Sequence, residues 1–85
     1  MKSFDSVPAG CVTLDLHGRN VYQAKIAIDS ALRRSYGVCR LRVVHGYHNG
    51  TVLRDMVLED YASHPRVVRI TRISDGVSDL VLRET

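Results

Sequence analysis

The sequence predicts a small α/β domain with the element order β-α-β-α-β-β. Segments in which apolar residues recur every second position alternate with segments of helical period, which indicates strands joined by helices. Such alternation favours parallel pairing and right-handed crossovers in the first units. The last two strands are separated only by the turn Ser74-Asp75-Gly76, which predicts an antiparallel hairpin. The expected sheet is therefore mixed, with two helices.

The first strand and helix have clear sequence boundaries. Residues 12–17 alternate between apolar and polar, and Gly18 ends the strand. Asn20 is a favourable helix N-cap, and Gln23 three positions later has the spacing of a capping box. Gly37 is placed for a left-handed C-cap after this helix. The apolar face at helical spacing consists of Val21, Ala24, Ala27, Ile28, Ala31 and Leu32.

The remaining elements follow in the same way. Residues 38–45 predict a largely buried strand bounded by glycines, and a Gly-containing loop, 46–50, leads into a second helix over 51–63. The pair His64-Pro65 stops that helix. Residues 67–73 and 77–83 predict the third and fourth strands. The apolar face of the second helix consists of Leu53, Met56, Val57 and Tyr61.

Length and composition indicate one domain. Residues 1–10 lack periodicity and are predicted to be a flexible leader, with the domain at 11–85. No apolar run is long enough to span a bilayer, and the first residues do not have a signal-peptide pattern. We therefore expect a cytoplasmic protein without a membrane partner. Cys11 and Cys39 are too few for a disulfide framework; we interpret them as buried or half-buried strand residues, with redox sensing as the alternative.

The charge is mildly basic and unusual in its residue type. The net charge is +3, and ten of the twelve basic residues are arginine. The guanidinium is a permanently charged planar fork that matches phosphate oxygens, so arginine favours a phosphate-bearing partner. Many soluble domains are equally basic, however, and this composition alone does not identify that partner.

Two His-Gly pairs stand at the ends of the first two predicted strands. His17 precedes Gly18, and His45 precedes Gly46. If these strands are parallel neighbours, both imidazoles emerge at one edge of the sheet, where ligands of open α/β sheets bind. Both helices begin just after these pairs, so their N–H groups face the same edge and favour an anion.

The residue types at this edge suit phosphodiester cleavage. Asp15 lies two residues before His17 and could orient its imidazole, while His17 and His45 could act as general base and general acid. RNA supplies its own nucleophile, the 2′-hydroxyl, so no cofactor is required. These side chains, joined by His48, could instead bind a divalent metal, although their spacing matches no metal motif. Satisfied strand-end histidines and a turn-capping Asp15 are the structural alternatives.

Further residues are candidates for contacts to a nucleic acid. Arginines could bind backbone phosphates, glycines could allow close approach, and Tyr47 could stack on a base. Solvated arginines, a solvated His48 and a tyrosine packed on its own loop are the alternatives. The candidates are Gly18, Arg19, Arg42, Gly46, Tyr47, His48, Gly50, Arg54 and Arg72.

The chain resembles the Smr (small MutS-related) domain family over about residues 12–83. The first motif of that family is complete as Leu-Asp-Leu-His-Gly at 14–18, and the second His-Gly pair begins at His45. The resemblance implies a β-α-β-α-β-β sandwich similar to the C-terminal domain of a bacterial translation initiation factor. It also implies nuclease activity, as DNA nicking or mRNA cleavage, with Asp15 and His17 in the activity-linked motif and His45, Gly46 and Gly50 in the second.

One position departs from the family pattern. The second motif is commonly His-Gly-x-Gly, and His48 replaces the second glycine. This loses a position of free backbone conformation but adds a proton donor or cation. The leading hypothesis is an endonuclease, with RNA favoured over DNA because RNA supplies its own nucleophile. The alternatives are a non-catalytic nucleic-acid-binding domain and a protein-interaction module that docks on the ribosome. The sequence does not indicate an oligomeric state.

Overall fold

The computed structural model describes residues 10–35, 37–46 and 51–83. The predicted leader lies almost wholly outside these residues, so the predicted domain boundary stays a prediction. The elements are β1 (Cys11–Asp15), α1 (Val21–Arg33), β2 (Arg40–Val44), α2 (Val52–Tyr61), β3 (Arg69–Ser74) and β4 (Val77–Val81). The order β-α-β-α-β-β is the one that the sequence predicts. Among the described residues, no helix is both long and apolar enough to cross a membrane.

The four strands form one mixed sheet in the order β1-β2-β4-β3. β1 and β2 are parallel, with Asp15 opposite Val44, so their carboxyl ends lie side by side. β4 is antiparallel to both β2 and β3. The predicted parallel pair and the predicted hairpin are therefore confirmed, and the hairpin places β4 between β2 and β3.

The core lies between the helices and one face of the sheet. Ile28 of α1 and Val57 of α2 are fully buried in the same cluster as Val43 of β2 and Leu80 of β4. The two helices lie side by side: the Tyr61 hydroxyl of α2 donates a hydrogen bond of 2.6 Å to Asp29 of α1. Both helices therefore cover the same face, which gives a two-layer sandwich.

The ends of α1 follow from local hydrogen bonding. The Asn20 side chain accepts from the Gln23 amide at 2.7 Å, and the Gln23 side chain accepts from the Asn20 amide at 3.1 Å, which confirms the predicted capping box. The helix ends at Arg33 with Arg34 as its C-cap. Gly37 has the predicted left-handed backbone at φ +78°, but it lies three residues beyond that cap and does not terminate the helix.

Most predicted boundaries are wrong by one or two residues. The helix predicted at 51–63 spans Val52–Tyr61, and the strand predicted at 77–83 spans Val77–Val81. β1 ends at Asp15 and not at residue 17, because the Asp15 carboxylate accepts a hydrogen bond from the His17 amide and turns the chain. Apolar periodicity continues through such turns, so it overestimates the length of an element.

The two cysteines are both free and half-buried. Cys11 lies in β1, and Cys39 directly precedes β2. The Sγ of Cys39 lies close to Gly10, where an added Cβ would approach it to 3.0 Å. The prediction of half-buried cysteines is confirmed, with Cys39 at a strand entry rather than within a strand.

Candidate active-site edge

The two His-Gly pairs lie in direct contact at one edge of the sheet. Gly46 has a left-handed φ of +73°, and a Cβ added to it would lie 3.4 Å from the Cβ of His17. The carboxyl ends of β1 and β2, together with the β3–β4 turn, form this part of the molecule, which we call the His-Gly edge. The sequence predicted that the two pairs converge, and the parallel register of β1 and β2 is the physical reason.

Asp15 and His17 form an exposed acid–imidazole pair. The Asp15 Oδ1 lies 2.7 Å from the His17 Nδ1 and also accepts from the His17 amide at 3.1 Å. A carboxylate only accepts, so Nδ1 carries the proton, and in the neutral ring Nε2 keeps a free lone pair. The His17 side chain is 70% exposed. The sequence prediction that Asp15 orients His17 agrees with this contact.

The electrostatics of this pair keep the carboxylate charged. The hydrogen bond from the His17 ring, followed by that from the His17 amide, holds the pKa of Asp15 below its ordinary value of 3.8. The charge of nearby Arg19 lowers this pKa further by a smaller amount. Asp15 is therefore an anion at neutral pH, and it stabilises any positive charge that develops on the imidazole.

His45 is buried, which corrects the expectation that both imidazoles emerge at the edge. Only 3% of the residue is exposed. Its Nδ1 lies 3.1 Å from the Gly46 carbonyl oxygen, and its Nε2 lies 3.1 Å from the Ser78 Oγ. A carbonyl only accepts, so Nδ1 donates and Nε2 accepts from the hydroxyl. Both ring nitrogens are thus occupied within the protein.

The β3–β4 turn holds the second His-Gly pair in place. The amides of His45 and Gly46 both donate to the Gly76 carbonyl, at 2.9 and 3.0 Å. Ser78, the second residue of β4, is 2% exposed and hydrogen-bonds the His45 ring. Sequence reasoning missed both Gly76 and Ser78 as parts of the site. The available signal was the polar pair Ser78 and Asp79, which interrupts the apolar residues of β4.

The predicted phosphate-binding arginines lie in different surroundings. Arg19 follows the first His-Gly pair and is exposed. Arg54 lies in the first turn of α2, where its Nε is buried without a hydrogen-bond partner and its Nη2 lies 3.4 Å from Asp55. Arg72 of β3 is paired with Asp75 at the β3–β4 turn. Arg42 lies on the sheet face opposite the helices, bound to the buried Asp79, and not at the turn itself.

Three predicted residues lie outside the described part of the chain: Tyr47, His48 and Gly50. Their predicted contacts stay predictions. Gly18 is described, with a left-handed φ of +81° and open space around the position of an added Cβ. Within residues 10–35, 37–46 and 51–83, no three His, Cys, Asp or Glu side chains are arranged to hold a metal ion.

The fold and this edge define a class of domain, in which a four-stranded mixed sheet is covered by two helices and carries paired His-Gly strand ends. The model of the Smr domain matches residues 14–77, and the chain therefore belongs to the Smr domain family. This family is MutS-related and of the nucleic-acid-binding, nuclease type.

A solved structure gives the same assignment. The chain is similar to the crystal structure of the Smr domain of Thermus thermophilus MutS2, with a TM-score of 0.76 and 29% sequence identity. The similarity covers 86% of this chain and 99% of that chain. No curated protein matches the sequence.

Proposed function

We propose that this domain is an endonuclease that cleaves single-stranded RNA at the His-Gly edge. The observation that carries the proposal is the exposed Asp15–His17 pair, in which the carboxylate fixes the Nδ1 proton and leaves Nε2 accessible. This is the arrangement that a general base requires, since the accepting nitrogen must reach a substrate proton. Membership of a nuclease-type family supports the same conclusion.

The chemistry uses the 2′-hydroxyl of RNA as its nucleophile. His17 Nε2 takes the 2′-hydroxyl proton, the 2′-oxygen attacks the adjacent phosphorus, and the P–O5′ bond breaks. The 5′-oxygen takes a proton from water, and the ring releases its proton to solvent, which restores the starting state. The products are a 2′,3′-cyclic phosphate and a 5′-hydroxyl end. DNA lacks this nucleophile, which is why RNA is favoured.

The developing charge on the phosphate is met by cationic groups near His17. α1 begins at Val21, just after the first His-Gly pair, and Arg19 lies in the chain between His17 and that helix. A helix N-terminus and a guanidinium both stabilise negative charge on phosphate oxygens. Arg54, whose Nε has no partner in the described structure, lies at the start of the other helix.

The role of His45 differs from the one that the sequence first suggests. Its Nδ1 and Nε2 are bound to Gly46 and Ser78, so proton exchange with a substrate through either nitrogen would require that nitrogen's hydrogen bond to break. We assign it instead the role of holding the Gly46 backbone against His17. His48 stays a candidate proton donor, because it lies outside the described residues.

Binding without cleavage is the second candidate function. The observation that favours it is that a single imidazole, His17, is exposed at the described part of the edge, since His45 is buried. One exposed histidine can act as the general base, but the 5′-oxygen of the leaving group must then take its proton from water. In that case, the same edge would bind RNA with a steep salt dependence and leave it intact. Docking on a ribosome and a cytoplasmic location stay predictions.

The test is incubation of the full chain with end-labelled single-stranded RNA and duplex DNA, each with and without EDTA. We expect RNA cleavage that survives EDTA and yields cyclic phosphate ends. His17→Ala should slow the single-turnover rate about 10²- to 10⁴-fold. Asp15→Asn should slow it too, because an amide does not stabilise the imidazolium as a carboxylate does.

The control variant is Arg33→Gln, which removes a charge from the far end of α1. It should cleave at the wild-type rate. Intact RNA beside a folded wild-type protein would remove the enzyme and leave the binding function. Cleavage abolished by EDTA would instead show that a divalent metal supplies the chemistry.

A further inference from the structure

The sheet face opposite the helices carries a polar row across all four strands. The pairing places Thr13 of β1 beside Arg42 of β2, Arg42 beside Asp79 of β4, and Asp79 beside Thr71 of β3. Leu41 and Val43 of β2 are buried beneath the helices, and alternate residues of a strand face opposite sides of the sheet. Arg42 and the three residues paired across from it therefore lie on the other face. A charged row at the centre of a sheet indicates that this face does not pack as a second core.

An arginine pair surrounds a single carboxylate in this row. Asp79 is fully buried and accepts from the Arg42 Nε at 2.8 Å, the Arg42 Nη2 at 3.1 Å and the Arg40 Nη1 at 3.2 Å. These bonds, with that from Arg42 first, hold the pKa of Asp79 below its ordinary value. Burial of the carboxylate beneath two guanidiniums fixes the position of both.

The charge of this cluster is not balanced. One carboxylate neutralises one guanidinium, and a second positive charge is left over. Both arginines also stay partly open to solvent, with side chains 43% exposed for Arg40 and 39% exposed for Arg42. In the described structure, Arg42 Nη1 and Arg40 Nη2 form no hydrogen bond, so donors are available for an anion.

The cluster lies in line with the candidate catalytic pair. Asp15 is on the same face of the sheet, two residues beyond Thr13, the partner of Arg42. At ~3.3 Å per residue, Arg42 lies about 7 Å and Arg40 about 13 Å along the strands from the level of Asp15. An extended strand that crosses this face would therefore meet both arginines before it reaches His17.

We propose that Arg40 and Arg42, held by Asp79, bind the phosphodiester backbone of a single RNA strand and lead it across the open sheet face to His17. The inference rests on the proposed function and names the path of its substrate. None of the described strand residues on this face is aromatic. The recognition is consequently of the backbone and not of the bases, and it should show little sequence preference.

The first experiment measures RNA affinity as a function of salt in the cleavage-deficient His17→Ala background. The probe is a fluorescent single-stranded oligoribonucleotide, with a DNA oligonucleotide of the same sequence as a second arm. Arg40→Gln should weaken RNA binding about two- to fivefold at moderate salt. It should also reduce the slope of log K against log salt by about 0.7, the value for one lost phosphate contact on a single strand.

The matched control is Arg33→Gln, which removes the same charge from the helix layer. It should leave the slope unchanged, because Arg33 is at the end of α1 and not on the open face. Arg42→Lys is the second variant: it keeps the positive charge but loses the bidentate contact to the Asp79 carboxylate. Thermal melting of each variant shows whether it is folded.

Amide chemical shifts give a readout that does not depend on variants. Titration with the oligoribonucleotide should shift Thr13, Arg40 and Asp79, and leave residues of the helix surface unshifted. Equal slopes for Arg40→Gln and Arg33→Gln, with shifts confined to the helix layer, would overturn the proposed path while cleavage could persist. Binding by this face without any cleavage would uphold the path and overturn the nuclease. Equal affinity for the DNA arm would keep the path and remove its specificity for RNA.

Discussion

The two His-Gly strand ends are similar in sequence and differ in their surroundings. His17 is exposed, and its ring is held by a neighbouring residue, Asp15, through one nitrogen. His45 is buried, and its ring is held through both nitrogens, one of them by Ser78 on another strand. The same dipeptide at the same position in neighbouring parallel strands therefore gives one accessible imidazole and one that supports the structure.

The difference follows the alternation of the strand that precedes each histidine, since β1 ends at Asp15 and β2 at Val44. His17 has the parity of Thr13 and Asp15, out of phase with the buried Leu16. His45 has the parity of Leu41 and Val43, which are both buried beneath the helices. Alternate strand residues face opposite sides of a sheet, so one histidine continues the open face and the other continues the core. A repeated motif does not imply a repeated role.

The largest expected effect is on stability, and it separates the two histidines. His45→Ala should lower the free energy of unfolding by about 2–4 kcal/mol, because it opens a cavity and leaves the Ser78 hydroxyl unpaired. His17→Ala should change it by less than ~0.5 kcal/mol, as expected for an exposed side chain. Urea unfolding followed by circular dichroism measures both values.

Ser78→Ala is the internal control for this result. It removes the partner of His45 Nε2 and keeps the ring, so it should cost about 1–2 kcal/mol. The double variant should be less destabilised than the sum of the two single variants, since they lose the same bond. Equal stability losses for His17→Ala and His45→Ala would contradict the division of roles.

The next effect compares the two glycines. Gly18 and Gly46 both have left-handed backbones, so replacement of either by alanine should cost about 1–2 kcal/mol. A Cβ at Gly46 would also contact His17 at 3.4 Å, whereas one at Gly18 would meet open space. We therefore expect Gly46→Ala to reduce the cleavage rate more than Gly18→Ala at similar stability. Single-turnover rates, measured where both variants are folded, test this; the reverse order would show that the contact is unimportant.

A smaller effect is expected from the N-caps of the two helices that follow the His-Gly pairs. Asn20→Ala should destabilise the domain by about 1 kcal/mol, because the Asn20 side chain caps α1 and closes a capping box. Thr51→Ala should cost less, since the Thr51 hydroxyl donates only to the Asp55 carboxylate, at 2.9 Å, and caps no backbone amide of α2. Thermal melting curves of the two variants give the comparison. A larger loss for Thr51→Ala would mean that the start of α2 is the more strongly stabilised.

The smallest effect concerns the pH dependence of stability. The folded-state pKa of Asp15 is lowered by His17, so its contribution is present above the unfolded value near 3.8 and is lost as the pH falls through the folded value. Both side chains are exposed, and the contribution is screened by solvent. Asp15→Asn should therefore lower the free energy of unfolding only slightly, and by the same amount at pH 7 and pH 5, because both pH values lie above the pKa of Asp15. A marked loss of stability in that range would give the first strand end a structural role as well.

Much of the site could be predicted, because its local contacts are encoded within a few residues. The Asp15–His17 pair spans two positions, and the capping box of Asn20 spans three. The burial of His45 could also have been predicted from the sequence, because His45 alternates in step with the buried residues Leu41 and Val43, although the motif itself suggested exposure. The contact of Arg42 with Asp79 could not be predicted from the sequence, since 37 positions separate the two residues and no local pattern pairs two such charges.

The sequence by itself determined the element order, the parallel β1–β2 pair and the convergence of the two His-Gly ends, because hydrophobic period and turn residues act over short distances. Only the tertiary structure decided which side chain binds the His45 imidazole. The insertion of β4 beside β2 brings Gly76 and Ser78 onto the second strand end, while the first strand end, on the outer strand β1, has no such neighbour among residues 10–35, 37–46 and 51–83. In this sheet the residue after the edge strand β1 is therefore exposed to solvent, and the residue after the central strand β2 is buried against β4.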